Sequence, residues 1–155
     1  MMEAMAIPPF ERLYVEHRDE VYGVLVRRLG RQRAEDAFQE TFLRALRAYP
    51  SLRRSDHLRA WVLTIARNVA IDTFRRERPT AELEEPIELP RRPGYAELEH
   101  LTDALPPTER AAVVLRYAYD MPYAAIGAAL GSSEDAARQA ASAGVRRLRR
   151  KETTR

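Results

Sequence analysis

No cysteine occurs among the 155 residues. That excludes disulfides, thiolate zinc sites and a cysteine nucleophile, and it accords with a reducing compartment. Long apolar runs are missing too. Nothing approaches the roughly 18 residues needed to cross a bilayer, and Met1 to Pro9 lacks the charged start and long greasy stretch of an export signal. A cytoplasmic chain without membrane insertion is expected. Lys151 is the only lysine among 26 basic residues, so the positive charge is almost wholly arginine. Arginine suits bidentate phosphate and base contacts, but a GC-rich genome accounts for the bias more readily. Glycine is scarce and forms no phosphate-cradling loop. The three histidines, His17, His57 and His100, fall in separate segments without convergent carboxylates. No catalytic site, metal or cofactor is therefore expected.

Helical periodicity is what the sequence does contain. Phe10, Leu13, Tyr14, Val21, Val24, Leu25 and Leu29 recur three and four residues apart, which predicts a helix stopped by Gly30. Ala34, Ala37, Phe38, Thr41, Phe42, Ala45 and Tyr49 form a second stripe closed by Pro50, with Glu35, Asp36, Gln39, Glu40 and Arg44 on the opposite face. Ser55 or Asp56 can cap a third helix, whose stripe Leu58, Trp61, Val62, Ile65 and Val69 runs out to about Arg78. Between Pro79 and Gly94 four prolines interrupt helix, and Glu82, Glu84, Glu85 and Glu88 make the stretch acidic. Helical spacing resumes at Leu98, Leu101 and Leu105, and after Pro106 and Pro107 another stripe begins at Val113, Val114, Leu115 and Tyr117. The expected fold class is all-α: two small helical domains, residues 10–78 and 95–151, joined by a Pro/Glu-rich linker over 79–94.

The C-terminal part predicts helix, tight turn, helix. Pro122 opens a short helix through Ala125, Ile126, Ala129 and Leu130; Gly131 ends it in the left-handed conformation and Ser133 caps the next. In a DNA-binding helix-turn-helix the second helix enters the major groove with a polar outer face. Here that face is Ser133, Glu134, Arg138, Gln139 and Ser142, and the inner face is Ala136, Ala137, Ala140 and Ala141. Arg138 can pair with guanine and Gln139 with adenine, while Arg146, Arg147, Arg149, Arg150 and Lys151 lie against phosphates. Pattern alone weighs this evenly against a plain helical hairpin with a solvated tail.

Arg67, Asn68, Asp72, Arg75 and Arg76 share the third helix with Trp61 and Phe74, a combination that suits single-stranded bases. Trp61 falls on the apolar stripe and reads as core. Arg53, Arg54 and Ser55 read first as a hydrophilic loop, and Glu35, Asp36 and Glu40 first as a solvated helix start. If the acidic face has a partner, that partner is a basic protein surface, since nucleic acid would be repelled.

The stretches Ala34-Glu35-Asp36-Ala37-Phe38-Gln39-Glu40-Thr41-Phe42-Leu43-Arg44-Ala45 and Leu58-Arg59-Ala60-Trp61-Val62-Leu63-Thr64-Ile65-Ala66-Arg67-Asn68-Val69-Ala70-Ile71-Asp72 closely resemble region two of the extracytoplasmic-function (ECF) sigma factors. Leu105-Pro106-Pro107-Thr108-Glu109-Arg110 and Met121-Pro122-Tyr123-Ala124-Ala125-Ile126-Gly127 resemble the start of region four. The resemblance implies a non-catalytic subunit that directs core RNA polymerase to promoters and helps open them. It assigns Asp36, Gln39, Glu40 and Arg44 to the clamp-helix coiled coil of the polymerase's largest subunit. It assigns Arg53, Arg54, Ser55, Arg67, Asn68, Asp72, Arg75 and Arg76 to the minus-10 promoter DNA, and Ser133, Glu134, Arg138, Gln139, Ser142, Arg146 and Arg147 to the minus-35 element. It also implies an anti-sigma factor as partner. One departure is substantial: two positions where the family usually carries arginine are Ala140 and Ala143, and Gly144 follows within the helix. A stand-alone helix-turn-helix regulator and a sigma-like adaptor that binds polymerase without promoter function are the alternatives.

Overall fold

The computed structural model describes residues 7–54, 56–77, 102 and 104–153. The acidic linker, Ser55 and the segment carrying Leu98 and Leu101 lie outside the described residues. Helix α1 (Phe10–Leu29) and helix α2 (Arg31–Ala48) are separated by Gly30 alone. The Gly30 N–H closes α1 on the Val26 carbonyl at 2.8 Å, and its own carbonyl accepts the Ala34 N–H of α2 at 3.0 Å. A φ of +82° permits both bonds at one residue, a conformation that favours glycine. The chain reverses, and early residues of α1 meet late residues of α2: Phe10 lies edge-on to Phe42 and Tyr49, and Tyr22 to Phe38. Tyr14 bridges Phe38 and Phe42 between them.

Pro50 sits in a 3₁₀ turn (Tyr49–Ser51), after which the chain crosses to helix α3 (Leu58–Glu77). Helix α3 opens directly from His57, whose carbonyl accepts the Trp61 N–H at 3.1 Å. The Asp56 carboxylate turns instead to Arg54, at 2.9 Å. Every residue of α3 from Ala60 to Ile71 is buried, so one apolar stripe understates this helix. Helices α1 and α2 cover one side, with Arg59 clasping Glu20 of α1. The C-terminal domain covers another.

Among the described residues, its helices begin with α4 (Pro107–Val113), with Pro107 in the first turn, where a missing N–H costs nothing. A π-helical turn (Val114–Ala118) and a loop lead to helix α5 (Tyr123–Leu130) and helix α6 (Glu134–Thr153). Between them Gly131 adopts the left-handed conformation, φ +68°. The Ser133 hydroxyl caps α6 by accepting the Ala136 N–H at 3.0 Å. Tyr117, expected on an apolar stripe, is exposed, because the wider π turn rotates it off the face that carries Val114 and Leu115. Ala136, expected on the inner face of α6, is exposed as well, leaving Ala137 and Ala141 as the buried pair.

Gly144 has a packing role that its helix propensity hides. A Cβ there would stand 2.7 Å from a Val113 methyl carbon and 3.4 Å from the Glu109 carbonyl oxygen, so α4 and α6 approach as closely as they do only because the position is bare. Gly144→Val should destabilise the protein by about 1–3 kcal/mol through overpacking, despite its intrinsic helix preference over glycine. Urea unfolding followed by circular dichroism checks this; an unchanged midpoint refutes it.

Candidate docking and nucleic-acid interfaces

Helix α2 presents a mixed surface. Asp36 and Gln39 are exposed and Glu40 is partly so, and on the same side of the helix stand Leu43 and Leu46, 47% and 49% exposed. Leu43 and Leu46, one helical turn apart and rimmed by polar side chains, give that face the pattern of a contact surface. Sequence periodicity passed over both leucines because they fall off the buried stripe. Their signal was spacing, since Leu43 lies seven residues, two helical turns, from Asp36.

Arg44 does not belong to that surface. It is 5% exposed and forms ion pairs with Glu40 at 2.8 Å and with Asp72 of α3 at 3.0 Å. The Gly131 turn of the second domain lies directly against its guanidinium. The physical reason is angular: Arg44 projects from the flank of α2 toward α3, and the Asp72 carboxylate draws it there.

On α3 the expected DNA-reading residues divide. Arg75 and Arg76 are exposed and Asp72 is half-buried, but Arg67 and Asn68 are each 3% exposed. The Asn68 amide donates back to the Thr64 carbonyl at 3.0 Å. Neither Arg67 nor Asn68 is available to a base in this arrangement. Phe74 packs under the Arg28 guanidinium, 5.6 Å from its ring centroid, so its ring is not free for stacking. Arg53 is exposed. Arg54 also faces solvent but grips Asp56 and donates to the Ala118 carbonyl at 3.3 Å. Its guanidinium beside Asp56 holds that carboxyl below the ordinary carboxylate range.

On α6, Ser133, Glu134, Arg138, Gln139, Ser142, Arg146 and Arg147 are all exposed, and they form the polar outer face. Arg138 is engaged with its own helix, donating to Asp135 at 2.8 Å and Glu134 at 3.2 Å, and it lies over the Tyr123 ring at 5.2 Å. Arg116 stacks on the same ring at 4.4 Å. Arg147 pairs with Glu109 of α4 at 2.7 Å. Among the described residues no cluster of three His, Asp or Glu side chains is disposed to hold a metal, and no helix is long and apolar enough to cross a membrane.

Comparison with known proteins matches residues 13–80 to the Sigma-70 region 2 family and residues 95–148 to the Sigma-70 region 4 family. The RNA polymerase sigma factor CarQ of Myxococcus xanthus is 34% identical over 90% of this chain and 87% of its own length. The ECF RNA polymerase sigma factor BldN of Streptomyces coelicolor is 33% identical over 91% of the chain and 59% of its own length. The ECF RNA polymerase sigma factor SigE of Mycolicibacterium smegmatis is 34% identical over 81% of the chain and 54% of its own length. The chain thus spans little more than half of the latter two relatives.

Proposed function

This chain belongs to the ECF RNA polymerase sigma factor family, and on that premise we propose that it binds core RNA polymerase in the cytoplasm, directs it to particular promoters and assists their opening without catalysing a reaction itself. The observation that carries this reading is the pairing, in one chain, of an exposed acidic and apolar face on α2 with a helix-turn-helix whose second helix is polar outward. Asp36, Gln39 and the exposed part of Glu40 supply charge complementarity to a basic coiled coil of the polymerase, and Leu43 and Leu46 supply the apolar centre. Arg53, Arg54, Arg75 and Arg76 are the accessible arginines of the minus-10 set, with the half-buried Asp72 on the same helix as the last two. Residues 79–94 serve as the linker between the domains, and an anti-sigma factor is the implied regulatory partner.

In the minus-35 reading, Arg138 must leave Glu134 and Asp135 to reach a guanine. Exposed ion pairs contribute about 0–1 kcal/mol each, whereas a bidentate arginine–guanine contact is worth about 1–3 kcal/mol of discrimination, so the base wins. Ala140 and Ala143 leave this helix with fewer cationic contacts, and Arg146 and Arg147 take more of the phosphate binding. Arg138→Ala should reduce minus-35-dependent initiation by about tenfold and relax base preference at one position; transcription from promoters randomised at that position tests it, and an unchanged preference rules Arg138 out as a reader.

The function itself is tested by binding of the purified protein to core RNA polymerase together with transcription from a genomic promoter pool. Binding with selective initiation is the expected result. Binding without initiation favours the adaptor, and tight promoter binding without polymerase favours a stand-alone regulator.

A further inference from the structure

Tyr123, the first residue of α5, carries two guanidiniums against its ring. Arg116, from the π turn, stands 4.4 Å from the ring centroid, and Arg138, from α6, stands 5.2 Å from it. Arg116 is committed elsewhere as well: its Nη1 donates to the Met121 carbonyl at 3.0 Å, which ties it to the loop leading into α5. Arg138 is held less firmly. Its other partners are Asp135 at 2.8 Å and Glu134 at 3.2 Å, both exposed carboxylates in the first turn of its own helix. Among the described residues nothing bonds to the Tyr123 hydroxyl, so what this side chain offers here is its ring.

The position of that ring relative to α6 is set by the tightest part of the turn between the helices. A Cβ on Gly127 would stand 2.8 Å from the Ser132 carbonyl oxygen and 2.9 Å from the Ser133 carbonyl oxygen. The Ser132 N–H donates to the Gly127 carbonyl at 2.8 Å. Ile126 and Ala129 of α5 are buried in one core with Ala137 and Ala141 of α6. The two helices are thus locked at close range, and Tyr123 stands as a fixed wall beside the long Arg138 side chain.

A guanidinium lying on an aromatic face is held through its plane by the ring's quadrupole, which leaves its N–H donors unused. Asp135 and Glu134 hold Arg138 through those same donors, and they compete with a base for them. The ring does not compete. We propose that Tyr123 determines specificity by positioning Arg138: the ring keeps the guanidinium in place when the ion pairs to Asp135 and Glu134 give way, and the planar fork is left to meet both acceptors of a guanine. The inference rests on the minus-35 reading in which Arg138 meets that base. An unsupported arginine reaches phosphates as readily as bases, and phosphate contacts carry no sequence information. Ala140 and Ala143 add no arginine to this helix, so selection falls on one side chain. Arg116, tied to Met121, braces the ring that steadies it.

The test is transcription by holoenzyme reconstituted with each variant, on promoters that carry each of the four base pairs at the position Arg138 reads. Wild-type protein should prefer one base pair by about tenfold. Tyr123→Leu should reduce that preference to about two- to threefold, with the loss falling at the preferred base pair, whereas Tyr123→Phe keeps the ring and should retain the wild-type preference. In an Arg138→Ala background Tyr123→Leu should change nothing further, because its effect runs through that one side chain. Tyr123→Leu protein that keeps the wild-type preference, or that initiates less at all four promoters alike, overturns the inference. An equal loss in Tyr123→Phe overturns it too, since the hydroxyl would then be touching DNA directly. Tyr123→Trp offers a stronger cation-binding face and should sharpen the preference, a gain that unfolding cannot imitate. Circular dichroism identifies any variant that fails to fold; should Tyr123→Leu be one, equal preference in Tyr123→Trp and Tyr123→Phe overturns the proposal. Arg138→Ala protein with the wild-type base preference removes the minus-35 reading itself, and the inference goes with it.

Discussion

Asp36→Arg combined with Glu40→Arg abolishes binding to core RNA polymerase, lowering affinity by about two orders of magnitude or more, while helical circular dichroism stays that of the wild type. Arginine is a good helix former at both positions, and Arg44 keeps its Asp72 partner at 3.0 Å when Glu40 is replaced, so the helices persist even though the Glu40 pair is lost. A like-charge clash at a protein interface costs several kcal/mol, enough for the predicted loss. The single variants should differ. Asp36 is exposed, whereas the Glu40 carboxylate is held by Arg44 at 2.8 Å. Glu40→Arg therefore sets two guanidiniums side by side and loosens Arg44 between α2, α3 and the Gly131 turn as well as altering the docking face. Asp36→Arg alone should account for most of the lost affinity. Leu43→Asp should reproduce much of it without adding a basic group, because it breaks the apolar centre of the same surface. Surface-immobilised polymerase titrated with each variant measures this, and wild-type affinity in the double variant would remove α2 as the docking element.

Much of the local structure was legible because local chemistry dictates it. Gly30 and Gly131 end helices where the backbone needs positive φ, Ser133 caps α6 by its hydroxyl, and the stripes of α1 and α2 face inward. Tyr117 is misread for a local reason, the π turn, but the misreadings at Arg44, Arg67, Asn68 and Gly144 share one cause, which is contact with a segment distant in sequence. Arg44 reads as a member of the polar face when α2 is considered alone, and its burial depends on Asp72 and on the Gly131 turn. Arg67 and Asn68 read as outward polar residues because the α3 stripe accounts for only one side of that helix. Gly144 reads as a weak point until Val113 is placed beside it. The family resemblance supplied what periodicity could not, the identity of the partners, but a pattern of motifs carries no information on how two domains pack together.

Trp61 is where that packing converges, and replacing it should have the largest effect on stability. It is fully buried, its ring lies edge-on to Tyr49 with centroids 6.0 Å apart, and its N–H meets Met121 of the other domain. One hydrophobic core runs through it from the α1–α2 aromatics to the alanines of α6. Trp61→Ala should cost about 3–5 kcal/mol, a large share of the roughly 5–15 kcal/mol that holds a typical domain together. The cavity lies where the domains join, so the loss should also uncouple them: urea unfolding followed by circular dichroism becomes broader, with a smaller slope or two resolved steps, in place of one cooperative transition. Trp61→Phe separates the two contributions. It keeps a ring in the first domain's core but gives up the bond to sulfur, so the first domain should stay nearly as stable while the seam loosens. The same sharp transition in Trp61→Ala as in the wild type would mean that the domains stay coupled and that Trp61 is not the side chain that joins them.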